Sequence, residues 1–155
     1  MSRDRVRASS VSLIILIGLL AGTTAARGQQ TDSSSNVLLE GSALPWVDAG
    51  DGIKRAQLYG DAQEPGEPFA FRLMVPDGFE MGPHTHPIAE HMTVISGKFF
   101  VGIGRTLDRH AAKEFGPGSY VVIGADVPAY MWAVGETVVQ IHGIGPLQTI
   151  WIQDE

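Results

Sequence analysis

Three of the five histidines in this 155-residue chain fall in one run, Gly82-Pro83-His84-Thr85-His86-Pro87-Ile88-Ala89-Glu90-His91. On extended backbone, residues two apart point to the same side, so His84 and His86 share a face. Glu90 follows beyond Pro87, where the chain can turn back and bring a carboxylate to both imidazoles. Two neutral imidazoles and one carboxylate, with other positions open, form a donor set for a divalent metal: Fe(II), Zn, Mn, Ni or Cu. The chain has no cysteine. Thiolate ligands, a cysteine nucleophile and a disulfide framework are therefore excluded, and histidine and carboxylate remain as the metal donors.

Other residues could join that chemistry. In Val138-Val139-Gln140-Ile141-His142-Gly143, His142 shares a face with Val138 and Gln140, while Val139 and Ile141 share the other. One of those faces must line the interior, so His142 is a candidate fourth ligand, proton carrier or hydrogen-bonding support for a ligand. Tyr130 and Trp132 also share a face; an inward Tyr130 would be a candidate catalytic hydroxyl, and core packing is the competing reading. His91 starts a strand next to Glu90 and should face away from it. His110, in Asp108-Arg109-His110, is expected in solvent. Phosphate-cradling loops, G-x-S-x-G and H-E-x-x-H do not occur.

The elements that must position these residues are short apolar or alternating runs broken by glycine and proline. Phe69, Phe71, Leu73 and Val75 alternate with Ala70, Arg72 and Met74, a period-two strand ending at Pro76. Further strands are expected at Ile53–Tyr59, His91–Ile95, Phe99–Ile103, Tyr120–Ile123, Tyr130–Val134, Thr137–Ile144 and Thr149–Ile152. Gly97-Lys98 and Gly135-Glu136 read as hairpin turns. The longest helix-like pattern is Thr106–Phe115, so the fold class is all-β, a small antiparallel barrel or sandwich.

Upstream of these strands the composition changes. Arg3, Arg5 and Arg7 precede a 12-residue apolar run, Val11–Gly22, and small residues at Thr23–Ala26. A positive start, a short apolar stretch and a small-residue cleavage site describe a secretory signal peptide, expected to end after Ala26 or Gly28. The run is too short for a membrane span, which needs about 20 residues. The expected organisation is a signal peptide over 1–26, a flexible polar segment over 27–45 and one domain over 46–155. The working protein would be exported, periplasmic or secreted. Removing residues 1–26 leaves 8 basic and 16 acidic residues, a formal charge of -8 against -6 for the whole chain. Such acidity excludes nucleic acid and an anionic membrane surface as partners, and the 44% hydrophobic content is enough for one core.

The stretch Gly78-x5-His84-x-His86-x3-Glu90-x6-Gly97 resembles the first motif of the cupin superfamily at every defined position. The residues that follow, from His86-Pro87 through Glu90 to Thr93-Val94-Ile95-Ser96-Gly97, resemble small bacterial single-domain cupins, and the similarity runs from about Gly50 to Trp151. The resemblance implies a double-stranded β-helix barrel, a jelly-roll relative, with His84, His86 and Glu90 binding a divalent metal inside it. The second motif laid in register from Gly118 is eroded. Gly124 stands at its proline position, Asp126 at its second glycine, Ala133 at its asparagine, and Ala129 where the family usually has a fourth ligand, histidine.

Three readings follow from the resemblance. The first is a metal-dependent enzyme on a small molecule, of oxygenase, isomerase or lyase type, with the missing ligand leaving an extra open position. The second is a non-catalytic small-molecule or metal-binding, sensing barrel whose metal site is weakened by Ala129. The third is a structural cupin without metal, paired as a homodimer.

Overall fold

Residues 36–153 are described in this computed structural model, and the alternating runs form nine antiparallel strands. These are β1 (Val47–Gly50), β2 (Ile53–Tyr59), β3 (Pro68–Val75), β4 (Glu80–Thr85), β5 (Glu90–Ile103), β6 (Lys113–Phe115), β7 (Tyr120–Ile123), β8 (Ala129–Ile144) and β9 (Ile150–Trp151). Among the described residues there is no α-helix, only a 3-10 turn at Gly41–Ala43. The stretch expected to be helix-like is a loop that ends in β6. The expected signal segment and the first part of the polar spacer lie outside the described residues. The rest of the spacer is largely exposed, but Leu44 at its end is buried.

Two long strands organise the sheet. The far half of β8 pairs β3 from Thr137 to Ile144, and its near half pairs β4, with His84 opposite Ala129. The near half of β5 pairs β7 and the far half pairs β6, while β5 and β8 pair each other along both halves. One layer is therefore β1-β2-β3-β8-β5-β7 and the other β9-β4-β8-β5-β6, and β5 and β8 cross from one to the other.

The crossing occurs at the two expected hairpins, which the structure replaces with bends in continuous strands. Gly97 has φ 83° and Gly135 φ 73°, and the β5–β8 register shifts on both sides of Ser96. A β-bulge sharpens local twist and bends its strand. Buried Thr137 ties the bend together: its hydroxyl accepts from the Lys98 amide at 3.1 Å and lies 3.0 Å from the Gly135 carbonyl. A Cβ at Gly97 would fall 2.7 Å from the Thr137 Cα, so glycine is needed there for space as well as for φ.

Between the layers lies the core, with Phe69, Phe71, Met92, Phe99, Met131 and Val139 all buried. Burying such side chains contributes about 1.5–3 kcal/mol each. On the outer side, Trp132 stacks with both Tyr130 and Phe100, and Tyr130 and Trp132 lie under the 104–112 loop, where Arg109 sits over Trp132 and pairs with Glu80. Tyr130 fits there only because residue 102 is glycine: a Cβ would stand 2.1 Å from its ring carbon Cζ. Gly102→Ala should lower stability by about 1–3 kcal/mol through overpacking. Gly116→Ala, where a Cβ meets nothing within 4 Å, should change it by less than about 0.5 kcal/mol. Urea midpoints of the two variants check the contrast.

Candidate functional site

The site is assembled where β4 ends and β5 begins. Along β4 the side chain of Met81 points inward, and alternation alone would then turn His84 outward. The register shift between Met81 and His84, at Gly82-Pro83, reverses the parity. His84 is 1% exposed, His86 5% and Glu90 4%. A bulge next to a site that re-aims a side chain is a recurrent device.

Each imidazole is held by a backbone carbonyl. His84 Nδ1 donates to the Gly82 carbonyl at 2.7 Å, and His86 Nδ1 donates to the Gln148 carbonyl at 2.6 Å. A carbonyl only accepts, so both rings carry a proton on Nδ1, and the neutral form of each presents a lone pair at Nε2. The rings meet edge to face with centroids 4.9 Å apart. His86 Nε2 lies 3.7 Å from Glu90 Oε2. That carboxylate oxygen is buried with no hydrogen-bond partner. Among the described residues, no three His, Cys, Asp or Glu side chains already stand together as a ready-made ligand set. The donor chemistry nevertheless fits a divalent cation: two oriented Nε2 lone pairs and one orphaned carboxylate oxygen, with Nδ1–H bonds of the kind that orient ligating histidines.

Electrostatics agree with that fit. Burial pushes the Glu90 carboxyl up from its ordinary range, and the neighbouring His86 offsets this in part. Burial also lowers His84, opposed by its bond to the Gly82 carbonyl and reinforced by His86. Neutral imidazoles are the form that ligates metal. A buried carboxyl held above its normal range without a cation is the group a cation would most readily ionise.

His86 and Glu90 border an interior cavity of about 150 Å³ whose walls include Phe71, Met92, Phe99 and Met131. His84 stands behind His86, with Trp151 tilted against it at 5.6 Å between centroids. The C-terminal segment thus supports the site: β9 pairs with β4 at His84 and Thr85, and the Ile152 amide donates to the Pro83 carbonyl. The Gln148 and Trp151 contacts had no signal in the sequence, because a backbone carbonyl and a short edge strand carry no motif.

Two candidate residues are placed elsewhere. Val139 and Ile141 line the cavity, so alternation sends His142 to the outer face, where it borders a separate groove with His91. The two rings face each other across β5 and β8, 5.1 Å between centroids, and His91 is hydrogen-bonded to the Tyr120 hydroxyl at 2.5 Å. The expectation that His142 could be the fourth ligand or a proton carrier for the His84–His86–Glu90 set is corrected. The same alternation removes Tyr130 as a catalytic hydroxyl: Met131 faces the cavity, and the Tyr130 hydroxyl donates to the Asp108 carbonyl at 2.9 Å. Ala129 is buried opposite His84, so the second-motif register holds in space and residue 129 presents only a methyl there. His91 faces away from Glu90 and His110 is exposed, as expected.

No protein-family model matches the chain, and no curated protein matches its sequence. Solved structures do match its fold. An RmlC-like cupin from Shewanella frigidimarina is 19% identical, with 71% of this chain and 91% of that chain covered and a TM-score of 0.58. The polyketide cyclase RemF from Streptomyces resistomycificus is 12% identical, covering 78% and 88% at a TM-score of 0.61. An acetylacetone dioxygenase from Acinetobacter johnsonii is 16% identical, covering 77% and 78% at a TM-score of 0.58. The described residues therefore have the cupin fold, a double-stranded β-helix barrel.

Burial, and secondarily the neighbouring His91, lowers the pKa of His142 from 6.5. Its NMR titration midpoint should fall below 6.5, and the unfolded chain would then take up this proton first. Stability conferred by the neutral ring is present above 6.5 and is lost as the pH falls toward the folded midpoint. A midpoint at or above the free imidazole value would contradict its half-buried placement beside His91.

Proposed function

We propose that this protein is an exported, metal-holding cupin that acts on a small molecule, as an oxygenase, isomerase or lyase. The observation that carries the reading is the buried Glu90 oxygen, without a hydrogen-bond partner, 3.7 Å from Nε2 of His86 at the edge of an apolar cavity. A lone buried carboxylate is costly unless a cation or hydrogen bonds compensate it. His84, His86 and Glu90 would hold a divalent metal, which when bound supplies a Lewis acid for a substrate oxygen, or activates water or dioxygen.

The chain's own residues do the positioning. The Gly82 and Gln148 carbonyls fix the two imidazoles in the tautomer that offers Nε2. The aromatic and aliphatic walls exclude water from the carboxylate. Support from other proteins is that a cyclase and a dioxygenase share the fold. Export is supported by the three arginines, the 12-residue apolar run and the small residues within positions 1–26.

One observation favours the alternative, a non-catalytic binding or sensing barrel. Position 129, opposite His84, holds alanine, and His86 and Glu90 are the only ionisable side chains on the cavity wall among the described residues. Metal content separates both from a metal-free structural cupin. The mature protein from metal-replete medium should carry one equivalent of metal by elemental analysis, and His84→Ala should carry little. Ala129→His should tighten metal binding, since its side chain would start opposite His84. Metal in neither the parent nor Ala129→His sinks the assignment.

A further inference from the structure

His86 and Glu90 stand together on the cavity wall, 3.7 Å apart. Of its 14 lining side chains, 11 are apolar, and the other three are His86, Glu90 and Thr149. No lysine or arginine is among them. The Arg55 guanidinium lies over the ring of Phe71, 4.0 Å from its centroid, and donates to Gln57. Phe71 lines the cavity and Arg55 does not.

The volume, about 150 Å³, is that of a cavity able to take up a single benzene-sized molecule: an engineered apolar cavity of about 150 Å³ stays dry and binds benzene. A charged group placed among these walls would lose its hydration with no counter-charge to replace it, which is strongly unfavourable. A carbonyl or hydroxyl oxygen on one end of the molecule would instead meet the His86–Glu90 pair.

Resting on the metal-holding reading for that pair, we propose that the cavity selects a molecule with an uncharged, single-ring-sized apolar body and one oxygen function, and rejects analogues with a charge at the opposite end. Phe71 is the side chain that keeps the Arg55 guanidinium out of the cavity and so maintains this selection.

Methionine methyl groups report occupancy directly. Met81, Met92 and Met131 line the cavity, and Met74 does not. With methyl-labelled methionine in the metal-loaded full-length mature protein, benzaldehyde and 4-methylbenzaldehyde should shift the first three signals and leave Met74 in place. 4-Formylbenzoate, close in size to 4-methylbenzaldehyde, should bind at least tenfold more weakly. Equal binding of the carboxylate, or no shift with any of the three probes, overturns the proposal. Benzene added to metal-free His84→Ala should still shift the same methionines, because the apolar walls remain. Failure of the metal reading shows instead as absent metal in the parent, with the preference for the uncharged aldehydes measured independently of it.

Discussion

A carboxylate inside an apolar barrel is the constraint around which the rest of the molecule is arranged. Glu90 begins β5, the long strand shared by both layers, so its position is set by the same pairing that builds the core. Burial raises its pKa, and one of its oxygens has no partner. An apolar residue of similar size would make a more stable barrel, since an uncompensated buried charge is strongly destabilising. The neighbouring groups are ordered around it. Both imidazoles have their Nδ1 protons tied to carbonyls, and the Gly82-Pro83 bulge turns His84 inward against the alternation of its strand.

Strand alternation sorts every other candidate. On β8, odd-numbered residues from Ala129 to Ile141, apart from Gly135 at the bend, face the interior and even-numbered ones face out. That single parity puts Ala129 opposite His84, Met131 in the cavity wall, Tyr130 under the 104–112 loop and His142 on the outer groove. Burial does not follow from parity alone: Tyr130 is as buried as the core side chains, yet its hydroxyl is taken by Asp108 and its ring by Gly102 and Trp132.

The clustering of His84, His86 and Glu90 was legible because they lie within seven consecutive positions, and short-range spacing survives without knowledge of the fold. The all-β class was legible from the alternating runs for the same reason. The absolute face of β8 was not, since a period of two fixes which residues share a side but leaves open which side is inward. Gly97 and Gly135 misled for a physical reason: a positive-φ glycine serves a hairpin turn and a bulge equally well, and only the partner strand distinguishes them. Here each glycine bends a strand whose partner bends at the same level. β4 was legible only as an extended segment, because Gly82 and Pro83 interrupt its pattern.

The central claim is that Glu90 is held buried for a cation, at the expense of the empty barrel's stability. Urea unfolding of the metal-free parent and of Glu90→Gln, each with and without added divalent metal, tests it most directly. Without metal, Glu90→Gln should be at least as stable as the parent, because the ionisable group with the raised pKa is replaced by a neutral amide. With metal, only the parent should gain, by RT ln(1 + [L]/Kd), about 2.7 kcal/mol at a hundredfold excess over Kd. A metal-free Glu90→Gln clearly less stable than the parent, or an equal gain in both proteins, would contradict the account.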